Sequence, residues 1–289
     1  MRAATAKKKV FGIFLLISAF ALLLTPTVMG DELPLLHEKT FKVSPGAKLD
    51  LGTSSGDVIV KGWDKNEAHI VIRCNDNAKE KMRFKMEVEN GNVIVRGERL
   101  DGNGWFSFSN LKVKYEINVP QNFNAFLRTS GGDIILRDLV GEIELKTSGG
   151  DVEVDSFRGK GELKTSGGDI QAVNFTGDIN AGTSGGDIIL KIKDAKINAA
   201  TSGGDVKVFY IGENKGINLS TSGGDIDLFV PSGIKADLDL RTSGGDLNCG
   251  LETSGVISSS RNKLEAKING GGKEIRCSTS GGDVSVKKN

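Results

Sequence analysis

The amino-acid sequence predicts an all-β protein: a parallel β-solenoid of about 18 residues per coil with an N-terminal antiparallel β cap. The first observation is the pentapeptide Thr-Ser-Gly-Gly-Asp, which begins at residues 129, 147, 165, 183, 201, 221, 242 and 279, with a near copy, Thr-Ser-Ser-Gly-Asp, at 53–57. The second is the alternation of apolar and polar residues on both sides of each copy. The third is a content of 39 glycines against 5 prolines, which is typical of a chain that turns often and tightly.

The bulk composition is that of a globular chain with balanced charge. Of 289 residues, 38% are hydrophobic and 26% are charged, and the formal net charge is +1. This balance gives no reason to expect nucleic acid or a polybasic membrane contact. Three dispersed cysteines and two histidines do not provide the four close ligands of a zinc site.

Residues 1–30 are predicted to be a signal peptide. Arg2 and the lysines at 7–9 form a basic start, residues 10–24 form an apolar run, and Val28 and Gly30 suit signal peptidase. The alternative is an uncleaved anchor, which would be the only membrane contact of the chain. Both interpretations predict an exported protein, located in the periplasm, at the cell surface or outside the cell.

Residues 31–120 are predicted to form an N-terminal β cap region that contains one degenerate coil around the near copy at 53–57. The segment MRFKMEVENGNVIVRGE alternates on both sides of Glu89-Asn90-Gly91 and predicts a hairpin. Trp63 is expected in the core. Such a cap would cover a solenoid end, which is otherwise an open strand edge.

Residues 121–289 are predicted to be the β-solenoid repeats, each with two short strands of period two. Ile134, Val152, Ile170 and Ile188 should stack as one core column. Because 37 residues separate Thr242 from Thr279, the segment between them should bulge out or add strands. The strand at 283–286 then appears last in the stack and uncapped, which leaves end-to-end self-assembly as an alternative.

The repeated corner predicts a polar column at the edge of the core. Its threonines should face inward and pass hydroxyl hydrogen bonds from coil to coil, and Gly-Gly should supply unusual backbone angles. The aspartates face outward and would repel one another at a spacing of about 4.8 Å. Turn N–H groups and basic residues five positions earlier are expected to offset this repulsion: Arg128, Lys146, Lys164 and Arg241.

A column of calcium ions is the alternative explanation of the aspartates. It would involve Asp133, Asp151, Asp169, Asp187 and Asp205. Calcium-binding nonapeptide repeats carry Gly-Gly-x-Gly-x-Asp twice per coil, whereas this chain has one Gly-Gly-Asp per coil. The sequence therefore favours a structural turn and predicts no cofactor.

Several segments resemble one family of exported bacterial proteins. They are FKVSPGAKLDLGTSSGDVIVKGWD, KVKYEINVP, the serial TSGGD coils and INGGGKEIRCSTSGGDV, and the resemblance spans about residues 40–289. The family carries the label "putative adhesin", or β-strand-repeat domain of unknown function. The resemblance implies an all-β solenoid, an envelope location and no established catalysis, and it brings no site residues with it.

Two groups of residues form the predicted ligand surface. Asn180, Asn198 and Asn218 should share one outward column, which suits a glycan, although asparagine ladders also stabilise stacked strands without any ligand. Trp105 and Phe106 lie in a glycine-rich loop and suit a partner contact, with plugging of the core as the alternative.

Catalytic residues are not predicted. The outward residues Asp225, Asp227, Asp237, Asp239 and Arg241 resemble the acidic walls of β-helical polysaccharide enzymes, but the repeats contain no histidine for acid–base work. Cys249 and Cys277 are the one cysteine pair to consider, and their diagonal placement favours free thiols over a disulfide.

The function predicted from the sequence is therefore that of a non-enzymatic exported cell-envelope protein. Its rigid solenoid would present a surface for adhesion, scaffolding or envelope sensing. The expected partners are a cell-wall glycan, an envelope protein or a second copy of the chain. A self-assembling polymer and a polysaccharide-active enzyme remain the alternatives.

Overall fold

The repeated pentapeptide forms one corner of every coil in the computed structural model of the protein, which describes residues 32–100 and 110–289. One strand leaves this corner after the aspartate, and another arrives before the threonine. We call the two resulting stacks of strands the Asp-side wall and the Thr-side wall. The predicted signal peptide lies outside the described residues, as do Trp105 and Phe106.

The N-terminal region contributes strands to both walls and one short helix. In chain order these elements are β1 (Leu35–Lys42), β2 (Lys48–Thr53), β3 (Asp57–Trp63), β4 (Glu67–Cys74), α1 (Asp76–Lys81), β5 (Met82–Glu89), β6 (Asn92–Arg99) and β7 (Val113–Pro120). The helix was not expected from the sequence. It begins where the Asn75 side chain accepts a hydrogen bond from the Ala78 N–H, which is the usual arrangement of an N-cap.

The regular repeats follow, and each coil contributes a strand segment to both walls. They are β8 (Asn124–Arg128), β9 (Ile134–Lys146), β10 (Val152–Lys164), β11 (Ile170–Thr176), β12 (Ile179–Gly182), β13 (Ile188–Lys193), β14 (Ile197–Ala200), β15 (Val206–Ile211), β16 (Ile217–Ser220) and β17 (Ile226–Val230). Both β9 and β10 run through the second corner, so each contributes to both walls. At this second corner Asp138, Ser156, Asn174 and Asp194 have φ between 51° and 59°.

Neighbouring coils pair in parallel with matched registers, which confirms the predicted fold class. Val152 pairs with Ile134 on one side and with Ile170 on the other, and Ile170 pairs with Ile188. These four side chains are at most 1% exposed. The core column is therefore present as predicted, because a strand of period two places every second side chain on the buried face.

The C-terminal strands do not stack in chain order. They are β18 (Ala236–Arg241), β19 (Leu247–Cys249), β20 (Thr253–Ser260), β21 (Lys263–Ile268), β22 (Lys273–Ser278) and β23 (Val284–Lys288). Strand β22 pairs in parallel with both β16 and β18, and β23 pairs with both β17 and β19. The last coil of the chain is thus inserted before the coil that precedes it in sequence.

This insertion corrects one expectation and confirms another. The strand at 283–286 was expected to be an open edge, but β17 and β19 cover it on both sides, so end-to-end stacking through it is excluded. The segment between Thr242 and Thr279 does add strands: β20 and β21 pair antiparallel, and β21 pairs antiparallel with β18. They form the end of the Thr-side wall.

The N-terminal end is interleaved in a similar way. The coil made by β2 and β3 lies between β6 and β8 on one wall and between β7 and β9 on the other. Beyond it, β4 and β1 continue the Asp-side wall antiparallel, and β5 continues the Thr-side wall antiparallel. The antiparallel strands that were expected at this end are therefore present.

Two details of the N-terminal region refine the sequence interpretation. The hairpin between β5 and β6 turns at Asn90 and Gly91, whose φ angles are 50° and 79°, as the Asn-Gly pair predicted. Trp63 is half-buried, which differs from the expected core position. Its indole N–H donates to the Glu67 carbonyl at 2.8 Å, and its ring stacks on His69. None of the helices among the described residues is long and apolar enough to cross a membrane.

Candidate ligand-binding surface

The threonines of the repeated corner hold neighbouring coils together through the backbone. Each is buried, with 4–9% exposure, as the alternation predicted. The hydroxyl of Thr183 donates to the carbonyl of Gly168 in the neighbouring coil at 2.9 Å and accepts the Gly186 N–H at 3.4 Å. The expected threonine-to-threonine hydrogen bonds are therefore wrong, because a carbonyl of the adjacent coil is the closer acceptor.

The aspartates of the corner form a second ladder, on the outside. Asp151 Oδ1 accepts the N–H of Asp169 at 2.7 Å, and Asp169 Oδ1 accepts the N–H of Asp187 at 2.8 Å. The ladder follows the stacking order rather than the chain order, since Asp225 accepts from Asp283 and Asp283 accepts from Asp246. Each accepting Oδ1 thus binds a backbone N–H of the coil stacked on it, so the corner carboxylates link neighbouring coils.

The basic residues near the corner bind other partners than expected. Arg128 and Lys146 both contact Glu144, at 2.6 and 2.7 Å, and Arg241 contacts Asp239 at 2.8 Å. Lys164 contacts Glu162 at 2.6 Å. These cations therefore form ion pairs with carboxylates of the Thr-side wall. The repulsion between corner aspartates is offset by the backbone N–H groups that their carboxylates accept.

The calcium alternative makes a prediction that a melting experiment tests. Among the described residues no group of three or more acidic, histidine or cysteine side chains is arranged to hold a metal, and a carboxylate oxygen of each predicted calcium ligand accepts a backbone N–H. We expect the thermal midpoint to be the same in calcium and in a chelator, because the ladder is complete without an ion. A midpoint that rises with calcium and falls with the chelator would instead assign the ion to these aspartates.

The two glycines of the corner have different roles, although the sequence treats them alike. In the eight full copies neither glycine has a positive φ, so the expectation of unusual backbone angles is wrong. At the second glycine, a Cβ would lie between 2.1 and 2.3 Å from a backbone oxygen of the adjacent coil. At the first it would lie no closer than 3.1 Å to any atom. The second glycine is therefore needed for close approach of the coils.

The predicted asparagine column exists and faces solvent. Asn180 pairs in register with Asn198, and Asn198 pairs with Asn218. Glu162 precedes the column, and Arg276 follows it. The Asn218 amide donates to Asn198 Oδ1 at 2.8 Å. Within the described part of the chain, Asn180 has no side-chain partner, so the amide ladder is incomplete.

Charged side chains flank this column on the same wall. A hydrogen bond from Lys146, aided by Arg128, holds the pKa of Glu144 below its ordinary value, and Lys164 does the same for Glu162. At the other end burial raises the pKa of Asp239, but hydrogen bonds and charge from Arg241 and Arg276 outweigh it, and the net pKa is lowered. The asparagines therefore lie between two paired, ionised groups.

The residues considered for catalysis fall into two groups on different walls. Asp227 lies on the Asp-side wall and contacts Lys287 at 2.7 Å, whereas Asp239 lies on the Thr-side wall between Arg241 and Arg276. Asp225 belongs to the corner ladder.

The three cysteines are free thiols: Cys74 and Cys277 are buried and Cys249 is half-buried, and burial raises the pKa of Cys277 strongly.

A further surface was missed in the sequence interpretation. Phe209 and Phe229 stack on the outer face of the Asp-side wall, with ring centroids 4.7 Å apart and an interplanar angle of 8°. The side chains of Lys191, Lys207 and Lys287 lie over these rings. The signal was present, because Lys191, Phe209 and Phe229 are each four residues after a corner aspartate.

Three solved structures are similar at low identity. A "putative cell adhesion protein" from Clostridium sporogenes has 15% identity, coverage of 88% of this chain and 99% of that one, and a TM-score of 0.32. A "putative lipid binding protein" from Parabacteroides distasonis has 16% identity, coverage of 88% of this chain and 96% of that one, and a TM-score of 0.49. A "putative adhesin" from Bacteroides fragilis has 16% identity, coverage of 89% of this chain and 97% of that one, and a TM-score of 0.40. At these values the likeness carries no argument about ligands.

The family comparison is more specific. No curated protein matches the sequence. The model of the Toastrack family, DUF4097, matches residues 46–287, a span that contains the near copy at 53–57, all eight full corners and both interleaved ends. The resemblance to an adhesin-like family of unknown function is thereby confirmed. The chain belongs to the Toastrack DUF4097 family.

Proposed function

We propose that the protein is a non-enzymatic exported component of the cell envelope whose Thr-side wall binds a cell-wall glycan. In this proposal the stacked coils serve as a rigid support, and the column of Asn180, Asn198 and Asn218 is the contact surface. Adhesion or envelope sensing would follow from holding such a polymer at a fixed position.

The observation that carries the proposal is the incomplete amide ladder. Parallel strands are about 4.8 Å apart, so the three register-paired asparagines offer a straight row of donors and acceptors. Within the described residues, the step from Asn218 to Asn198 is the only one in the column joined by a hydrogen bond between asparagine side chains, at 2.8 Å. The other amide groups keep their capacity to bind the hydroxyl and acetamido groups of a glycan.

The order of the column also supports a surface for polar polymers. It has carboxylates at one end and Arg276 at the other, and no large apolar side chain interrupts it. A flat polar wall suits an extended chain more than a compact small molecule, for which an enclosed pocket is usual. Export is supported by the sequence features of residues 1–30.

A pull-down with purified cell-wall glycan tests the proposal. We expect the protein to bind, and we expect Asn180→Ala, Asn198→Ala and Asn218→Ala combined to weaken binding at least about tenfold, because two or more net hydrogen bonds are lost. The same incubation should release no new reducing ends or unsaturated products.

The matched control is an asparagine on the opposite wall. Asn248 is exposed in β19, so Asn248→Ala removes the same chemical group without touching the column and should leave binding unchanged. Equal loss in both variants, or full binding by the triple variant, would reject the Thr-side wall as the contact surface.

A further inference from the structure

An open cleft lies on the Asp-side wall near the second corner of the coils. Its volume is about 890 Å³, and its lining includes Phe209, Ile211 and Pro231, with Lys191 and Lys193 beside them. Ile211 is 59% exposed, which is unusual for a large aliphatic side chain on a soluble surface. None of the described residues that line the cleft is acidic.

The charged side chains that line the cleft are both lysines. Within the part of the chain that the structure describes, neither Lys191 nor Lys193 has a carboxylate partner. By contrast, Lys287 at the far end of the aromatic stack is paired with Asp227 at 2.7 Å. An anionic group placed at the Lys191 and Lys193 end would therefore meet two unpaired ammonium groups.

The arrangement of the rings decides which kind of anion fits. A sugar would need an open aromatic face, but the inner faces of Phe209 and Phe229 cover each other. Their outer faces are covered by Lys191, at 5.9 Å from the Phe209 centroid, and by Lys287, at 5.5 Å from the Phe229 centroid. The cleft thus offers ring edges and the aliphatic surface of Ile211, which suit a hydrocarbon chain.

We propose that this cleft binds a single-chain anionic lipid, with its hydrocarbon chain against Ile211, Phe209 and Pro231 and its headgroup at Lys191 and Lys193. The site lies on the opposite wall from the asparagine column, so it is a second binding function that does not rest on glycan binding. Burial of the chain supplies the apolar contribution, and the lysines select the sign of the headgroup.

Calorimetry with dodecyl phosphate, kept below its micelle concentration, tests the proposal on the purified protein. We expect saturable binding that weakens about tenfold in Ile211→Ser, through lost apolar contact. The double variant Lys191→Gln with Lys193→Gln should weaken binding by a similar factor at low salt and by less at high salt. Because all three residues are exposed, these variants should keep the thermal midpoint of the wild type.

Matched controls identify the source of any binding. Val140 is 44% exposed in the same outward column as Ile211, and Lys61 is exposed in β3, several coils away, so Val140→Ser and Lys61→Gln should bind normally. Dodecyltrimethylammonium and inorganic phosphate should both bind at least tenfold more weakly than dodecyl phosphate. Equal binding of either compound, no saturable binding, or equal loss in the controls would overturn the proposal. So would binding of an acidic glycan that depends on the same cleft residues.

Discussion

Replacing Gly168 with alanine is expected to lower the free energy of unfolding by about 2–4 kcal/mol. The new Cβ would lie 2.2 Å from the Gly150 carbonyl oxygen and 2.4 Å from Asp151 Oδ1. Both oxygens are held by the ladders that join the coils, the first by Thr165 and the second by the N–H of Asp169. Neither can move without breaking a hydrogen bond, so the substitution must separate two stacked coils.

The adjacent glycine provides the matched control. At Gly167 the nearest atom to an alanine Cβ is the Gly149 oxygen at 3.6 Å, which is an ordinary contact. We expect Gly167→Ala to change stability by no more than about 0.5 kcal/mol. Urea unfolding followed by circular dichroism measures both variants, and comparable losses would contradict the assignment of close approach to the second glycine alone.

Changing Thr183 to valine is expected to cost about 1–3 kcal/mol of stability. Valine keeps the volume but removes the hydroxyl, so the Gly168 carbonyl loses its buried donor and the Gly186 N–H loses an acceptor. Thr183→Ser keeps the hydroxyl and should recover most of this loss.

The neighbouring serine tests the orientation of the corner. Ser184 is exposed, whereas Thr183 is 8% exposed, so Ser184→Ala should change stability by no more than about 0.5 kcal/mol. Chemical denaturation of the three variants separates the contributions. A larger loss for Ser184→Ala than for Thr183→Val would mean that inside and outside are exchanged, and the asparagine column would then belong to the core.

The sequence predicted what depends on a single coil. Alternation placed Ile134 and its equivalents inside, Thr183 at the inner edge and Asn198 outside, because the side-chain direction in a strand follows from period two alone. The Asn90-Gly91 turn was equally local. In each case the residue type and its immediate neighbours carry all of the information that is needed.

Features that depend on how two coils meet were not predictable. The hydroxyl of Thr183 donates to the Gly168 carbonyl rather than to the next threonine because of the stagger between coils. The sequence of a single repeat does not contain this stagger. The two corner positions are both glycine, and only the position of the adjacent coil distinguishes the role of Gly167 from that of Gly168. The stack of Phe209 on Phe229 likewise appears only once the register between β15 and β17 is known.

The stacking order of the C-terminal coils could not be predicted from the sequence for a related reason. The corners that begin at Thr242 and Thr279 have the same five residues, so either could follow Thr221 in the stack. The gap of 37 residues between them signalled an irregularity without saying which coil comes first. The hydrogen-bonding partners decide it, since Thr279 donates to Gly224 and Thr242 donates to Gly282.

Interleaved ends have a consequence for function. At the N-terminal end the coil of β2 and β3 is held between segments that both come later in the chain. At the C-terminal end the coil of β22 and β23 is held between segments that both come earlier. Antiparallel strands lie beyond the inserted coil on both walls at the N-terminal end and on the Thr-side wall at the C-terminal end. The regular coils between them therefore expose side walls and no end face. The asparagine column lies on one of these walls, and the cleft beside Lys191 and Lys193 lies on the other.

Disulfide trapping of the last coil is the most direct test of this account. In a Cys249→Ala background, Asn248→Cys with Ser285→Cys places two thiols on adjacent, register-paired strands, where the Cα separation of about 5 Å permits a bond. Asp227→Cys with Asn248→Cys places them about 10 Å apart, because β23 lies between. We predict that mild oxidation and peptide mass spectrometry detect the first disulfide and not the second. The reverse result would show that the coils stack in chain order and would contradict the interleaved end.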